Sequence, residues 1–271
     1  MLELFNFPFF QNAVIAGIFV SIACGLIGSL VVVNRSVFLA GGIAHAAYGG
    51  VGLAFFFALP AFPTIVIFSV AIALIMAGLS LEKRERTDAI IGVLWAIGMA
   101  MGIILIDLSP GYNVDLMSYL FGSILTVPDS DVKLMAILNL MIIGIVSFYY
   151  KDFIAISYDR EFAKVRGVPV VRLHFIFLIM VAICVVMTIR AVGLILIMAL
   201  MTIAPFLLEQ VSKSLLQMMM LSCVLNILFV LSGLLISYYL DLTSGATIIL
   251  VAGVFFIIFQ GVLKLIHLTR R

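Results

Sequence analysis

Polar residues interrupt this chain at nearly regular intervals, and what lies between them is almost continuously apolar. The apolar stretches run at 11–33, 37–57, 61–81, 89–107, 134–150, 173–189, 191–208, 215–237 and 247–266. Each approaches the roughly 20 residues that a helix needs to cross a hydrocarbon layer. None alternates apolar with polar residues, so helices are predicted rather than the strands of a barrel. A further stretch, 116–127, is too short to cross at about 1.5 Å per residue and reads as a half-membrane or interfacial helix. The expected fold is an all-α integral membrane protein with about nine transmembrane helices and this short extra piece. Residues 1–10 either extend the first helix or lie along the surface.

Composition agrees. Hydrophobic residues make up 65% of the 271, charged residues 10%, and the mean hydropathy is +1.36. A soluble domain carries about a quarter of its residues as charges. Cys24, Cys184 and Cys223 all lie in apolar spans and form no CxxC pair, so neither a disulfide framework nor a zinc knuckle is indicated. No glycine-rich nucleotide loop occurs, so ATP hydrolysis is not expected of this chain. The opening MLELFNFPFF lacks a basic n-region, which argues against a removable signal peptide. No soluble domain is expected at either end, and 1–271 reads as one transmembrane domain without a nucleic-acid-binding part.

Charge placement sets an expected orientation. If the loops at 34–36, 82–88, 151–172 and 209–214 share a side with the C-terminal tail, only Lys133 and Arg190 of the fifteen Lys and Arg lie opposite. The basic side is then cytoplasmic, with the N-terminus outside and the C-terminus inside. The outer side collects Glu3, Asp107, Asp115, Asp129, Asp131 and Asp241, which are solvated loop carboxylates or an acidic rim that attracts cations.

The candidate chemistry starts at Phe38–Phe57, FLAGGIAHAAYGGVGLAFFF. His45 is a polar anomaly in the middle of this span. An imidazole in hydrocarbon must find a protein group or a ligand. Gly41, Gly42, Gly49, Gly50 and Gly52 remove bulk, so a neighbouring backbone or a ligand can approach closely. His45 is therefore a candidate pathway residue, the plain alternative being a histidine bonded to nearby backbone.

Two loops carry more than a connection needs. In 151–172, Asp159 suits an N-cap and Gly167 a C′ position with Pro169 beyond, bracketing a short helix, Arg160–Arg166, that presents Phe162 and Val165. Such a helix either docks in a partner's groove or lies against its own protein. On the outer side, Met117–Thr126 forms a short apolar helix between Pro110–Gly111 and Pro128, a plug or gate, or an interfacial cover. In 191–208, Pro205 removes a backbone donor, and Thr202 stands close enough to satisfy a freed carbonyl.

Six segments in order resemble the membrane permease subunits of ABC importers for zinc, manganese and iron. They are Ala40-Gly41-Gly42-Ile43-Ala44-His45-Ala46 against a motif close to G-D-x-x-[SA]-H-A, DAIIG at Asp88–Gly92 and SYLFGSIL at Ser118–Leu125. The others are Asp159–Gly167 against D-x-E-x-A-x-x-x-G, AVGLILIMAL at Ala191–Leu200 and SYYLDLTSG at Ser237–Gly245. The resemblance implies a homodimer, two cytoplasmic ATPase subunits and an outer metal-binding protein, in a prokaryotic plasma membrane. It makes Asp159, Arg160, Glu161, Phe162, Ala163 and Gly167 the coupling helix, and Tyr119, Leu120, Phe121 and Gly122 part of an outer gate. It makes His45 a contact for the passing metal, with Gly41 at the usual aspartate position. No permanently bound cofactor is implied; the ion is cargo. Imidazole without a carboxylate suits zinc better than manganese, with iron a further alternative. A carrier driven by an ion gradient is the competing reading, but no acidic residue sits near a span centre.

Overall fold

The computed structural model describes residues 8–82, 87–109, 124 and 127–269. Its helices are α1 (Pro8–Val33), α2 (Val37–Ala46), α3 (Tyr48–Phe56), α4 (Ala61–Glu82), α5 (Thr87–Asp107) and α6 (Asp129–Phe148). They continue with α7 (Tyr150–Tyr158), α8 (Arg160–Val165), α9 (Val170–Val192), α10 (Leu194–Glu209), α11 (Leu215–Leu240) and α12 (Ser244–Thr269). Among the described residues, eight helical spans are long and apolar enough to cross a membrane, α2 and α3 counting together as Val37–Phe56. The ninth apolar stretch is realised as α10, whose 16 residues reach about 24 Å. Residues 8–10 join the first helix.

Two breaks and one added helix refine the expected pattern. The second span divides at Ala47, where Gly50 N–H bonds the Ala47 carbonyl three residues back at 2.9 Å. Glycines at 49, 50 and 52 hold helix weakly, so the turn tightens there. Gly193 separates α9 from α10 with φ 82, a conformation that side chains disfavour. Residues 151–158, expected as loop, are instead helix α7, because Phe153 and Ile156 lie three apart on one face and are both buried.

The loops assumed to share a side do so. Residues 33–36, 38, 39, 80, 87, 88, 91, 156–161 and 174 surround one cavity of about 650 Å³. Glu209 and Ser212 to Leu215 meet Ser157 and Tyr158 around another of about 200 Å³.

Helix α1 is the axis of the bundle and packs against α6, α9, α10 and α11. Lipid tails are as apolar as leucine, so helices associate by close packing and hydrogen bonds rather than by the hydrophobic effect. A Cβ at Gly28 would lie 2.5 Å from the Met201 carbonyl oxygen of α10, and one at Gly25 would lie 2.6 Å from Cys223 N of α11. The Met201 carbonyl is the one that Pro205 leaves without its helical donor. Thr202, expected to serve there, donates instead to the Met198 carbonyl. Buried amides add directional ties. Asn226 Nδ2 donates to the Leu200 carbonyl at 2.9 Å, and Asn139 Nδ2 to the Phe19 carbonyl at 3.0 Å.

Gly28→Ala should cost about 1–3 kcal/mol by overpacking. Gly144→Ala, whose Cβ meets nothing within 4 Å, should cost none. Thermal unfolding in detergent checks this, and equal stability of the two variants would refute the close contact.

Candidate functional site

His45 lies in the last turn of α2, immediately before the break. Eight residues from the start of α2 correspond to about 12 Å of rise, near the middle of a roughly 30 Å hydrocarbon layer. Its Nδ1 is 2.8 Å from the Gly41 carbonyl oxygen, one turn back. A carbonyl only accepts, so Nδ1 carries the proton and Nε2 keeps the lone pair. This is the tautomer that a metal-binding imidazole adopts when backbone orients it. The ring stacks on Trp95 of α5, with centroids 3.9 Å apart and planes at 24°. The Phe38 ring lies tilted beside the indole, with centroids 6.1 Å apart. The ring is half-buried.

The glycines around His45 seat α5. Gly98 and Gly102 form a GxxxG pair on that helix. A Cβ at Gly98 would lie 2.7 Å from Ala46 Cα, and one at Gly102 would lie 2.5 Å from the Tyr48 carbonyl oxygen. In return a Cβ at Gly52 would meet the Gly102 carbonyl oxygen at 2.5 Å. Of the two uses open to Gly52, close approach of a neighbouring backbone is the one seen. This contact spans the break and fixes Trp95 one turn from Gly98, against His45.

Gly41 faces α10. A Cβ there would come 3.0 Å from Met198 Cε and 3.2 Å from Sδ, the flexible end of that side chain. Among the described residues, no group of three or more His, Cys, Asp or Glu is arranged to hold a metal ion. One chain therefore offers His45 as a lone imidazole, with the thioether of Met198 beside the position where relatives are expected to carry aspartate.

Below this level the large cavity opens between α2, α5 and the short helix α8. Asp159 caps α8, its Oδ1 accepting from Glu161 N and Phe162 N at 3.0 Å each. At the other end Val168 N donates to the Ala163 carbonyl and Gly167 N to the Lys164 carbonyl, with Gly167 at φ 81. That is a Schellman closure, and it holds a helix of 6 residues that would not persist alone. Ala163 is fully buried against the bundle, whereas Phe162 is 56% and Val165 86% exposed. Arg166 lies over the Phe162 ring at 5.7 Å. One small residue thus anchors the helix inward while its apolar side chains project outward.

Tyr119, Leu120, Phe121 and Gly122, expected in an outer gate, lie outside the described residues. The flanking chain is tied to α1: Asn12 Nδ2 donates to Asp129 Oδ1 at 2.5 Å and approaches the Val127 carbonyl at 3.4 Å. Three groups near the site escape the sequence reading. Trp95 is the chain's single tryptophan, and the GxxxG spacing beside it is visible in the sequence. Met198 gives no local signal. His174, at the edge of an apolar span, is buried with Ser80 and Arg160 as neighbours.

Membrane-length helices, one of which packs its tryptophan on a half-buried histidine, with an apolar-tipped helix projecting from one face, fit the membrane subunit of a transporter. A family model described as the ABC 3 transport family matches residues 6–262, and the chain belongs to that family. It is similar to an uncharacterized membrane protein of Synechocystis sp., with 46% identity covering 95% of this chain and 92% of the other. It is also similar to the manganese transport system membrane protein MntC of Listeria innocua, at 30% identity covering 94% and 91%. Among solved structures it resembles a chain of PsaBC from Streptococcus pneumoniae in complex with Fab, at 29% identity and TM-score 0.86. That match covers 95% of this chain and 93% of the other.

Because Trp95 is the chain's only tryptophan, its emission reports on the imidazole stacked against it. His45→Ala should change the intensity or position of that emission in an otherwise folded protein. Identical spectra would contradict the stack.

Proposed function

We propose that this chain is the transmembrane subunit of an ATP-driven importer that moves a divalent transition metal ion, with zinc first among the candidates. Two copies form the pathway, an outer binding protein delivers the ion, and separate ATPase subunits on the basic side supply energy. That side is the cytoplasm of a prokaryotic cell, so the N-terminus is outside and the C-terminus inside. The observation that carries the reading is His45 itself. Its Nδ1–H is committed to the Gly41 carbonyl and its ring is held by Trp95, so Nε2 is preset as a ligand near mid-membrane. Two such nitrogens across a dimer axis offer a neutral site, which suits zinc better than an oxygen-seeking ion.

The manganese transport name of the Listeria relative favours manganese instead. Competition between the two ions in reconstituted uptake separates these readings. Family membership lends no support to a carrier driven by an ion gradient.

Alternating access is the mechanism proposed, and two features of the architecture support it. The break at Ala47 lets α2 and α3 move apart at the level of the ligand. The exposed Phe162 and Val165 of α8 offer an apolar key for a groove on the ATPase, with Glu161 and Arg160 beside it.

His45→Ala should lower metal uptake by about tenfold or more, the scale on which weakening a ligand shell acts, while the complex still assembles and hydrolyses ATP. Unchanged uptake would remove His45 from the pathway. Gly41→Asp should tighten metal binding and shift preference toward manganese, because Met198 can swing its terminal atoms away. An unaltered ion preference would show that the aspartate position does not face the ion. Phe162→Ala should leave the ATPase turning over with little metal moved, and normal coupling would end the docking assignment.

A further inference from the structure

Between the projecting helix α8 and the helices around His45 lies a part-buried polar chain with a fixed direction, centred on the buried His174. A guanidinium has only donors, so Arg160 Nη2 donates to His174 Nδ1 across 3.2 Å. That makes Nδ1 the acceptor and puts the ring proton on Nε2, which donates to Ser80 Oγ at 2.9 Å. The Ser80 hydroxyl in turn donates a hydrogen bond to the Ala77 carbonyl at 3.0 Å. The sequence of bonds therefore runs from the first residue of α8, through the first turn and a half of α9, into the last turn of α4. His174 is 7% exposed. A buried imidazole with both nitrogens engaged cannot turn without leaving a polar atom unpaired, which is costly away from water.

The chain stands where a movement of α8 would have to pass. Its three side chains line the 650 Å³ cavity together with Phe38 of α2 and Asp88 and Ile91 of α5. Helix α4 packs along α9 and against α2, α3 and α5, the elements that carry His45 and Trp95. Gly167 and Pro169 give α8 a turn at its far end, so the Arg160 end is the one tied to the bundle by a side-chain bond. A mere space-filling residue at position 174 would need no donor on one side and acceptor on the other.

We infer that Arg160, His174 and Ser80 form a strut that carries displacement of α8 to α4 and so to the helices around the metal path. His174 is its positioning residue. This rests on the reading of α8 as the ATPase docking helix. When the docked ATPase shifts α8, the chain makes α4 follow; when the chain is cut, α8 moves without it.

The test uses the reconstituted complex of this chain with its ATPase, and reads ATPase co-purification and radioactive zinc or manganese moved per ATP hydrolysed. His174→Leu keeps bulk and removes both polar contacts; it should retain the ATPase while metal moved per ATP falls several-fold. His174→Gln, whose amide oxygen accepts and whose amide nitrogen donates, should recover most of the loss. Ser80→Ala removes only the hydroxyl and should reproduce the leucine defect, and it serves if His174→Leu fails to assemble. A normal ratio in both His174→Leu and Ser80→Ala overturns the strut. A defect in His174→Gln as deep as that of leucine overturns it as well, since packing would then be the cause. Failure of the ATPase to bind the wild-type chain through α8 strikes the docking reading instead, and co-purification separates that result from the others.

Discussion

The structure depends on backbone-to-backbone contact between helices that share no hydrophobic reason to associate. In lipid, leucine gains nothing by leaving the tails, so the helices are held where glycine lets main chains touch. Gly28 against Met201 and Gly25 against Cys223 fasten α1 to α10 and α11. Gly98 and Gly102 against Ala46 and Tyr48 fasten α5 to the broken second span. Each contact also fixes rotation about the helix axis, since only one face is bare. The site inherits its geometry from the second of these contacts. Trp95 lies on the same helix as Gly98, so seating the glycine places the indole on His45.

The imidazole is therefore oriented by three features from different levels of structure. The Gly41 carbonyl sets the tautomer, Trp95 sets the ring plane, and the break at Ala47 leaves the neighbouring backbone free of a continuous helix. The Gly41 surface is neutral and lies against a thioether, which lowers the charge available to a cation. On the same helices as His45 and Trp95, Phe38 and Ile91 line the cavity that reaches Arg160 and Glu161 of α8, the helix whose Phe162 and Val165 stand out from the bundle. His45 and α8 thus belong to one connected set of elements, with a directed polar chain at the join.

Much of this was legible in the sequence because membrane-length apolar runs and charge bias are strong signals. The nine apolar stretches fall on the helices, and Asp159 with Gly167 marks both ends of α8 correctly because cap chemistry is local. His45 stands out because an imidazole in a glycine-rich apolar run is costly. What escaped depends on contacts distant in sequence. Met198 meets Gly41 only once α10 folds back after Gly193. His174 looks like an ordinary polar residue at a span edge until Ser80, 94 residues away, is brought to 2.9 Å. Helix α7 reads as loop in the sequence because its charges mask the buried pair Phe153 and Ile156. The division at Ala47 is a tertiary outcome of weak local helix propensity and the α5 contact, and the glycines that permit it also fit an unbroken span.

The central claim is that the imported ion binds the Nε2 atom of His45. It is tested most directly by spectroscopy of the metal itself, in the assembled complex trapped with ion inside. Zinc absorption spectra should show imidazole nitrogen at about 2.0–2.1 Å, and that shell should vanish in His45→Ala. A first shell made only of oxygen, identical in wild type and variant, would contradict the account.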